Sequence, residues 1–228
     1  MIISSDTFSP SKKFLKFFAE TNEKLDKPFR WIELQTTGVL LNEEYLKFLR
    51  EEVGINTISV SISAFEDDVN IDYTRMPAKC AVNLKELCQN IKKMGFNLRL
   101  SVNLTDYFNK YKESVTKFFE DAKETFNPDQ LTLRVLYASE EKSEQATWVR
   151  EHSCNMDIVK DLTENIRTYG TALERLPYGR IKYSYYGMSL VIDDDCMSKE
   201  SVEDYKYLIL RPNCKLYSRW DDKASLIF

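Results

Sequence analysis

The sequence predicts an α/β fold: a partial TIM-like (β/α) barrel of parallel strands with a small antiparallel extension at its carboxyl end. Four segments carry the prediction, because each alternates strictly between an apolar and a polar side chain and so reads as a two-faced strand. Ile32, Leu34 and Thr36 alternate with Glu33, Gln35 and Thr37, and Ile58, Val60 and Ile62 with Ser59, Ser61 and Ser63. Leu98, Leu100 and Val102 alternate with Arg99, Ser101 and Asn103, and Leu131, Leu133 and Val135 with Thr132 and Arg134. Helical patterns separate the strands, whose starts near 31, 57, 97 and 130 give units of about 26 to 40 residues, the length a βα repeat requires. Right-handed crossovers then put the helices on one side, as in a sheet that curls towards a barrel.

Each element has its own local signal. Met1-Ile2-Ile3 reads as the end of a strand, and Ser9-Pro10 opens a helix to about residue 25 with a capping hydroxyl followed by proline. After strand 30–36, Gly38 turns the chain and Asn42 caps a helix with Glu43 and Glu44 in its first turn, where the helix dipole favours them. Gly54 ends that helix, strand 57–63 follows, and 64–76 reads as a long loop. A helix over 79–94 closes on Gly95, strand 97–103 leads into a helix over 106–125, and Asn127-Pro128-Asp129 breaks it before strand 130–137. Beyond 137 the pattern changes. A charged stretch, 140–150, precedes a helix over 155–169 marked by Met156, Val159, Leu162 and Ile166, and the tail reads as antiparallel strands 181–186, 189–192, 207–211 and 215–220. The expected organisation is a barrel portion, 1–140, and a helix with a β-rich extension, 141–228, completing the same domain.

Composition excludes some classes. Hydrophobic residues are 43%, charged residues 30%, and the net charge of −4 gives no general attraction to nucleic acid or anionic membrane. No apolar run approaches the roughly 20 residues of a membrane-spanning helix, and residues 1–10 lack the regions of a secretory signal, so a cytoplasmic protein is expected. The five cysteines, Cys80, Cys88, Cys154, Cys196 and Cys214, are odd in number and widely spaced, which reads as free thiols. His152 has no recognisable triad partner and reads as a surface histidine. Asp193-Asp194-Asp195 reads as a solvated turn, and Tyr183, Tyr185, Tyr186, Tyr205, Tyr207, Tyr217 and Trp220 as packing for a small sheet.

A polar face repeated on four strands demands an explanation, because strands of parallel sheets are ordinarily apolar on both faces. An open sheet with one wet face would account for it, as would an incompletely filled lumen holding a polar ligand. Two details favour the lumen: the inward residues Thr37, Ser59, Ser61, Ser63 and Ser101 are short, and polarity concentrates at the carboxyl ends of the strands, where α/β folds bind ligands. Glu33, Arg99 and Arg134 would be costly there unless paired with each other or with a ligand.

The local sequences resemble the radical S-adenosylmethionine (radical SAM) superfamily, especially its molybdenum-cofactor-type and peptide-modifying branches. Leu34-Gln35-Thr36-Thr37-Gly38-Val39-Leu40-Leu41 is similar to a TNG-x-L-L segment, with Thr37 in place of Asn, and the strand 57–63 to V-x-V-S-L-D. Ile71-Asp72-Tyr73-Thr74-Arg75 resembles H-D-x-x-R, 95–103 resembles a strand ending in a ligand-facing Asn, and 132–137 the strand after it. Ser4-Ser5-Asp6 falls where the family has G-G-E, and 210–217 resembles the hairpin that follows the barrel. The resemblance implies that Asp6, Thr37, Ser61, Ser63, Arg99, Asn103 and Arg134 bind S-adenosylmethionine (AdoMet): Asp6 its amino group, Ser61, Ser63 and Asn103 its ribose or carboxylate, and Arg99 or Arg134 its carboxylate.

The departure from the family is the CxxxCxxC motif of the 4Fe-4S cluster, which these 228 residues do not contain. Without a cluster no electron reaches the sulfonium, so the chain alone is expected to be incompetent for radical chemistry, with no catalytic or metal-binding residue of its own. It reads as the AdoMet-binding barrel of a split or truncated enzyme whose cluster comes from a partner polypeptide, or as a degenerate, cluster-free scaffold that binds a ligand or a protein.

Overall fold

The computed structural model describes residues 2–5, 12–138, 143–176, 179–193, 209–210, 215–218 and 225–227. It contains two compact units, Met1–Asp194 and Asp195–Phe228. In the first, strands β1 (Ile2–Ser5), β2 (Glu33–Thr36), β3 (Thr57–Ile62), β4 (Asn97–Leu104), β5 (Gln130–Val135), β6 (Thr171–Arg175), β7 (Ile181–Tyr185) and β8 (Met188–Asp193) form one sheet in the order β1-β2-β3-β4-β5-β8-β7-β6. Pairing is parallel from β1 through β5 to β8, and antiparallel from β8 to β7 and β6. The sheet does not close, since β1 and β6 stand at its two edges. This is the predicted α/β architecture, an open, mostly parallel sheet of partial-barrel type. In the second unit, β9 (Ile209–Leu210) and β10 (Leu216–Tyr217) pair antiparallel, within the two tail strands expected from the sequence.

The apolar parity of the strands builds the core. Ile58, Val60, Ile62, Leu98, Leu100, Val102, Leu131 and Leu133 are buried in one cluster with side chains from the helices that follow the strands. Those helices are α2 (Glu43–Phe48), α4 (Leu84–Lys93), α5 (Val115–Phe126) and α7 (Met156–Tyr169), and α1 (Lys12–Glu23), ahead of β2, adds Leu15. Asn42 caps α2 as expected, its Oδ1 accepting from Tyr45 N at 2.8 Å, and Gly54 and Gly95 take left-handed conformations where their helices end.

Four segments differ from the sequence expectation. Within 64–76, expected as a loop, lies α3 (Asp67–Thr74). It shows no apolar stripe, so periodicity could not reveal it. Its buried Asn70 holds it instead, the Oδ1 accepting from Ser63 N at 2.7 Å and Ala64 N at 3.3 Å. The helix expected over 79–94 begins at Leu84, where Asn83 caps Glu86 N at 2.8 Å, after a short 3-10 turn at Ala78–Cys80. The helix expected over 106–125 is broken into a 3-10 segment, Asp106–Tyr111, and α5, because Ser114 is extended. The break lets Phe108, Tyr111 and Phe118 converge on Phe65. The charged stretch resolves into α6 (Glu144–His152), capped by Ser143. Strand β6, unexpected from the sequence, is exposed along its whole length, so no burial pattern marks it.

Burial also sets an alkaline limit on the fold. Burial and a hydrogen bond to Asp106 push the Tyr73 phenol up to about 12, and burial with the neighbouring Tyr186 does the same for Tyr185. Burial raises Tyr107 and Tyr111 as well. The folded state thus keeps protons that the unfolded chain releases near pH 10, so stability is intact below about pH 10 and falls as pH climbs towards 12. In an alkaline titration these four phenols are expected to ionise together with loss of far-ultraviolet dichroism. Full ionisation of every tyrosine with the dichroism intact would contradict their burial.

Candidate functional site

Because parallel strands pair in register, the polar parity forms rungs across the sheet. One rung runs Gln35, Ser59, Arg99, Gln130, Ser189, and the next Ser61, Ser101, Thr132, Val191. At the carboxyl ends come Asn103, Arg134 and Asp193, beside Ser63, which follows β3 directly.

The lower part of this face is a closed polar network. Glu33, whose side chain is 4% exposed, pairs with Arg99 (Nη1 to Oε2, 2.7 Å). Arg99 also donates to Gln130 Oε1 from Nε at 2.8 Å and Nη2 at 2.5 Å, and Gln35 donates to Glu33 Oε1 at 3.1 Å. Of the two predicted carboxylate partners, Arg99 is therefore already neutralised by its own chain. Among the described residues, the buried hydroxyls of Thr57, Ser59 and Ser101 on this face have no hydrogen-bond partner.

The upper part is organised but incomplete. Asn70 fixes the backbone amide of Ser63, Thr105 Oγ1 donates to Ser63 O at 2.7 Å, and Asn103 Nδ2 donates to Ser63 Oγ at 3.3 Å. The loop after β3 is thus tied to the end of β4 before any ligand arrives. Arg134 is different. It is half-buried, its Nε is sealed from solvent, and its guanidinium has no hydrogen-bond or ion-pair partner among the described residues. Its register neighbour Asp193 is held by Arg180 (Nη2 to Oδ1, 2.5 Å), so that carboxylate is already balanced. A half-buried cation without a counter-ion, flanked by amide and hydroxyl groups, is suited to an incoming anion.

The structure thus gathers Ser61, Ser63, Asn103 and Arg134 on one face near the strand ends and puts Arg99 in the network below them. Thr37 lies just past β2, half-buried, where Gly38 at φ +89° turns the chain and an added Cβ would meet Leu87 Cδ2 at 2.3 Å. Asp6 lies outside the described residues. Sequence reasoning missed Gln130 and Arg180 as partners and Asn70 as the anchor of Ser63. Gln130 and Asp193 share the polar parity and could have been found by it, whereas nothing marks Arg180. A surface cleft lined by Lys12, Lys16, Phe17, Phe48 and Glu52 is separate from this face, and Lys12 and Lys16 pair there with Glu44 and Glu52.

Of the described thiols, Cys80 is half-buried and Cys88 and Cys154 are buried. Cys88 is buried on α4 with its thiol pushed up to about 12 by burial and Asp67, and burial pushes Cys154 up to about 11. Among the described residues no three Cys, His, Asp or Glu side chains come together as a metal-binding group. Cys196 and Cys214 lie outside the described residues. No helix among the described residues is long and apolar enough to cross a membrane.

No family model matches the sequence, and no curated protein does. Solved structures do match the fold. The enzyme anSMEcpe with bound AdoMet and the Kp18Cys peptide superposes with a TM-score of 0.51 at 16% identity, over 74% of this chain and 46% of that one. The same enzyme with AdoMet and the Cp18Cys peptide gives 0.50 at 15% identity, again over 74% and 46%. A radical SAM methyltransferase from Sphaerobacter thermophilus gives 0.38 at 14% identity, over 60% and 37%. The chain spans about half the length of the anSMEcpe structures it matches. At these identities the likeness is one of fold alone, shared with the anSMEcpe structures.

Proposed function

We propose that this chain is the AdoMet-binding barrel portion of a radical SAM-type enzyme, working in the cytoplasm with its 4Fe-4S cluster supplied by a partner polypeptide. The observation that carries the proposal is the upper polar face, with the unpartnered guanidinium of Arg134 beside Asn103 and Ser63. Arg134 would take the methionine carboxylate, which removes the cost of leaving its charge half-buried. Ser61, Ser63, Asn103 and Thr37 would take the ribose and amino groups, with Asp6 as the remaining amine partner, and the unsatisfied Ser101 hydroxyl supports a polar occupant at that depth. AdoMet, when bound, brings a sulfonium carbon that a reduced cluster can cleave. The residues of this chain bind and orient it, and the partner brings the cluster.

Calorimetric titration of the chain with AdoMet tests this. Binding is expected, with Arg134→Met about 10- to 100-fold weaker, as loss of a charged hydrogen bond implies, and Asn103→Ala less affected. Absence of binding, or parental affinity in Arg134→Met, would overturn the assignment. Anaerobic iron reconstitution of the chain alone should give no 4Fe-4S absorbance, and a stoichiometric cluster would refute the need for a partner. A cluster-free ligand-binding scaffold is the second reading, favoured by the protonated, buried Cys88 and Cys154. It predicts AdoMet binding with no partner that restores cleavage.

A further inference from the structure

Three separate elements bring Tyr73, Asp106 and His152 together at the carboxyl end of the sheet. Tyr73 comes from α3, Asp106 opens the segment leaving β4 three residues after Asn103, and His152 ends α6. Tyr73 donates to Asp106 Oδ1 at 2.7 Å, and His152 Nδ1 stands 3.6 Å from the same oxygen. The His152 ring is held from two sides, with Trp148 tilted at a centroid distance of 4.9 Å and Tyr73 edge-on at 5.8 Å. Ser153, the next residue, bridges to Thr105, the residue before Asp106, so the backbone fixes the spacing of the two side chains.

The chemistry of this arrangement differs from that of the polar face. A carboxylate beside Nδ1 selects the tautomer with the proton on that nitrogen and leaves Nε2 with a free lone pair. Nδ1 is sealed from solvent with no hydrogen bond shorter than the 3.6 Å approach, and such contacts tighten when a ligand closes the site. Tyr73 adds a second donor to Asp106, and burial and that bond keep its phenol protonated. The imidazole remains about one-third exposed.

We propose that Tyr73, Asp106 and His152 form a proton-handling station at the mouth of the lumen, serving a substrate that presents a hydroxyl, thiol or ammonium group above it. In the step, the proton leaves the substrate's O–H, S–H or N–H bond for His152 Nε2, and the bonding electron pair stays on the substrate atom. Asp106 offsets the imidazolium charge, and the reverse transfer returns the proton. No oxidant or reductant takes part. Asp106 and Tyr73 are the positioning residues, and the buried thiol of Cys154 also senses Asp106.

His152 is the chain's one histidine, so nitrogen-15 spectra of the full chain report its tautomer without assignment ambiguity. The neutral ring is expected as the Nδ1–H tautomer, and diethyl pyrocarbonate should modify its free Nε2, read by mass spectrometry. Asp106→Asn, which offers its amide to Nδ1, is expected to invert the tautomer and slow modification about tenfold or more. Asp106→Glu and Tyr73→Phe should keep the parental tautomer. An Nε2–H tautomer in the parent, an unreactive ring, or an Asp106→Asn spectrum like the parent's would overturn the proposal. A dispersed amide spectrum identifies variants that fold. The measurement uses ligand-free protein, so failure of AdoMet to bind leaves its outcome unaffected.

Discussion

Glu33→Ala is expected to destabilise the chain by about 3 kcal/mol, at the lower end of what breaking a buried ion pair costs. The Glu33 carboxylate is enclosed, and its removal leaves the Arg99 guanidinium facing a low-dielectric interior with only Gln130 as a partner. Gln35 loses its bond to Glu33 as well. The cost stays near the lower limit because the Arg99 side chain keeps 26% exposure and its two bonds to Gln130. Desolvation, rather than attraction, dominates this pair, and a second variant shows it. Glu33→Met combined with Arg99→Met replaces both charges by flexible apolar groups of similar length and should recover most of the loss. Urea denaturation of the parent, both singles and the double measures the coupling directly. A loss under about 0.5 kcal/mol in Glu33→Ala, the range of an exposed pair, would mean that the lower polar face is wet rather than enclosed.

That distinction matters for function, because the two arginines on this face have opposite roles. Arg99 and Arg134 share strand parity and could not be separated in sequence. What separates them is their neighbours across the sheet: Glu33 and Gln130 around Arg99, and an Asp193 already taken by Arg180 beside Arg134. Alternation alone revealed β2 to β5 and the polar face, because burial on one side forces a period of two. It could not reveal α3, which is held by one buried asparagine rather than by an apolar stripe. Nor could it place β8 beside β5. The Tyr186-Gly187 turn, with both residues at positive φ, signals a hairpin between β7 and β8, but a parallel partner leaves no local mark. The proton-handling cluster was hidden for a similar reason, since its members come from positions 73, 106 and 152 and only the fold brings them together.

Phe108→Ala is expected to have the largest effect of any single truncation, about 3–5 kcal/mol. Phe108 is fully buried and touches Phe65 at 5.2 Å, Phe118 at 5.4 Å and Tyr107 at 4.7 Å between ring centroids, all edge-on. Edge-to-face contacts add to the burial of the ring itself, and the surrounding rings cannot all collapse into the space it leaves. The position also couples stability to the site. Phe65 lies two residues after Ser63, and Phe108 two residues after Asp106, so this contact fastens the loop after β3 to the segment after β4 beneath the proposed ligand. Phe108→Leu keeps an apolar filler and should cost less than half as much, while losing the edge-on geometry. If the coupling holds, Phe108→Ala will weaken AdoMet binding beyond what its unfolded fraction explains, whereas Phe119→Ala, which faces Tyr185 and Tyr186 and meets this cluster at Phe118 rather than at Phe65, will lose stability alone. Denaturant midpoints with calorimetry on the folded fraction separate the two effects. Equal ligand affinity in both variants would show that Asn70 and Thr105 suffice to hold Ser63 in place.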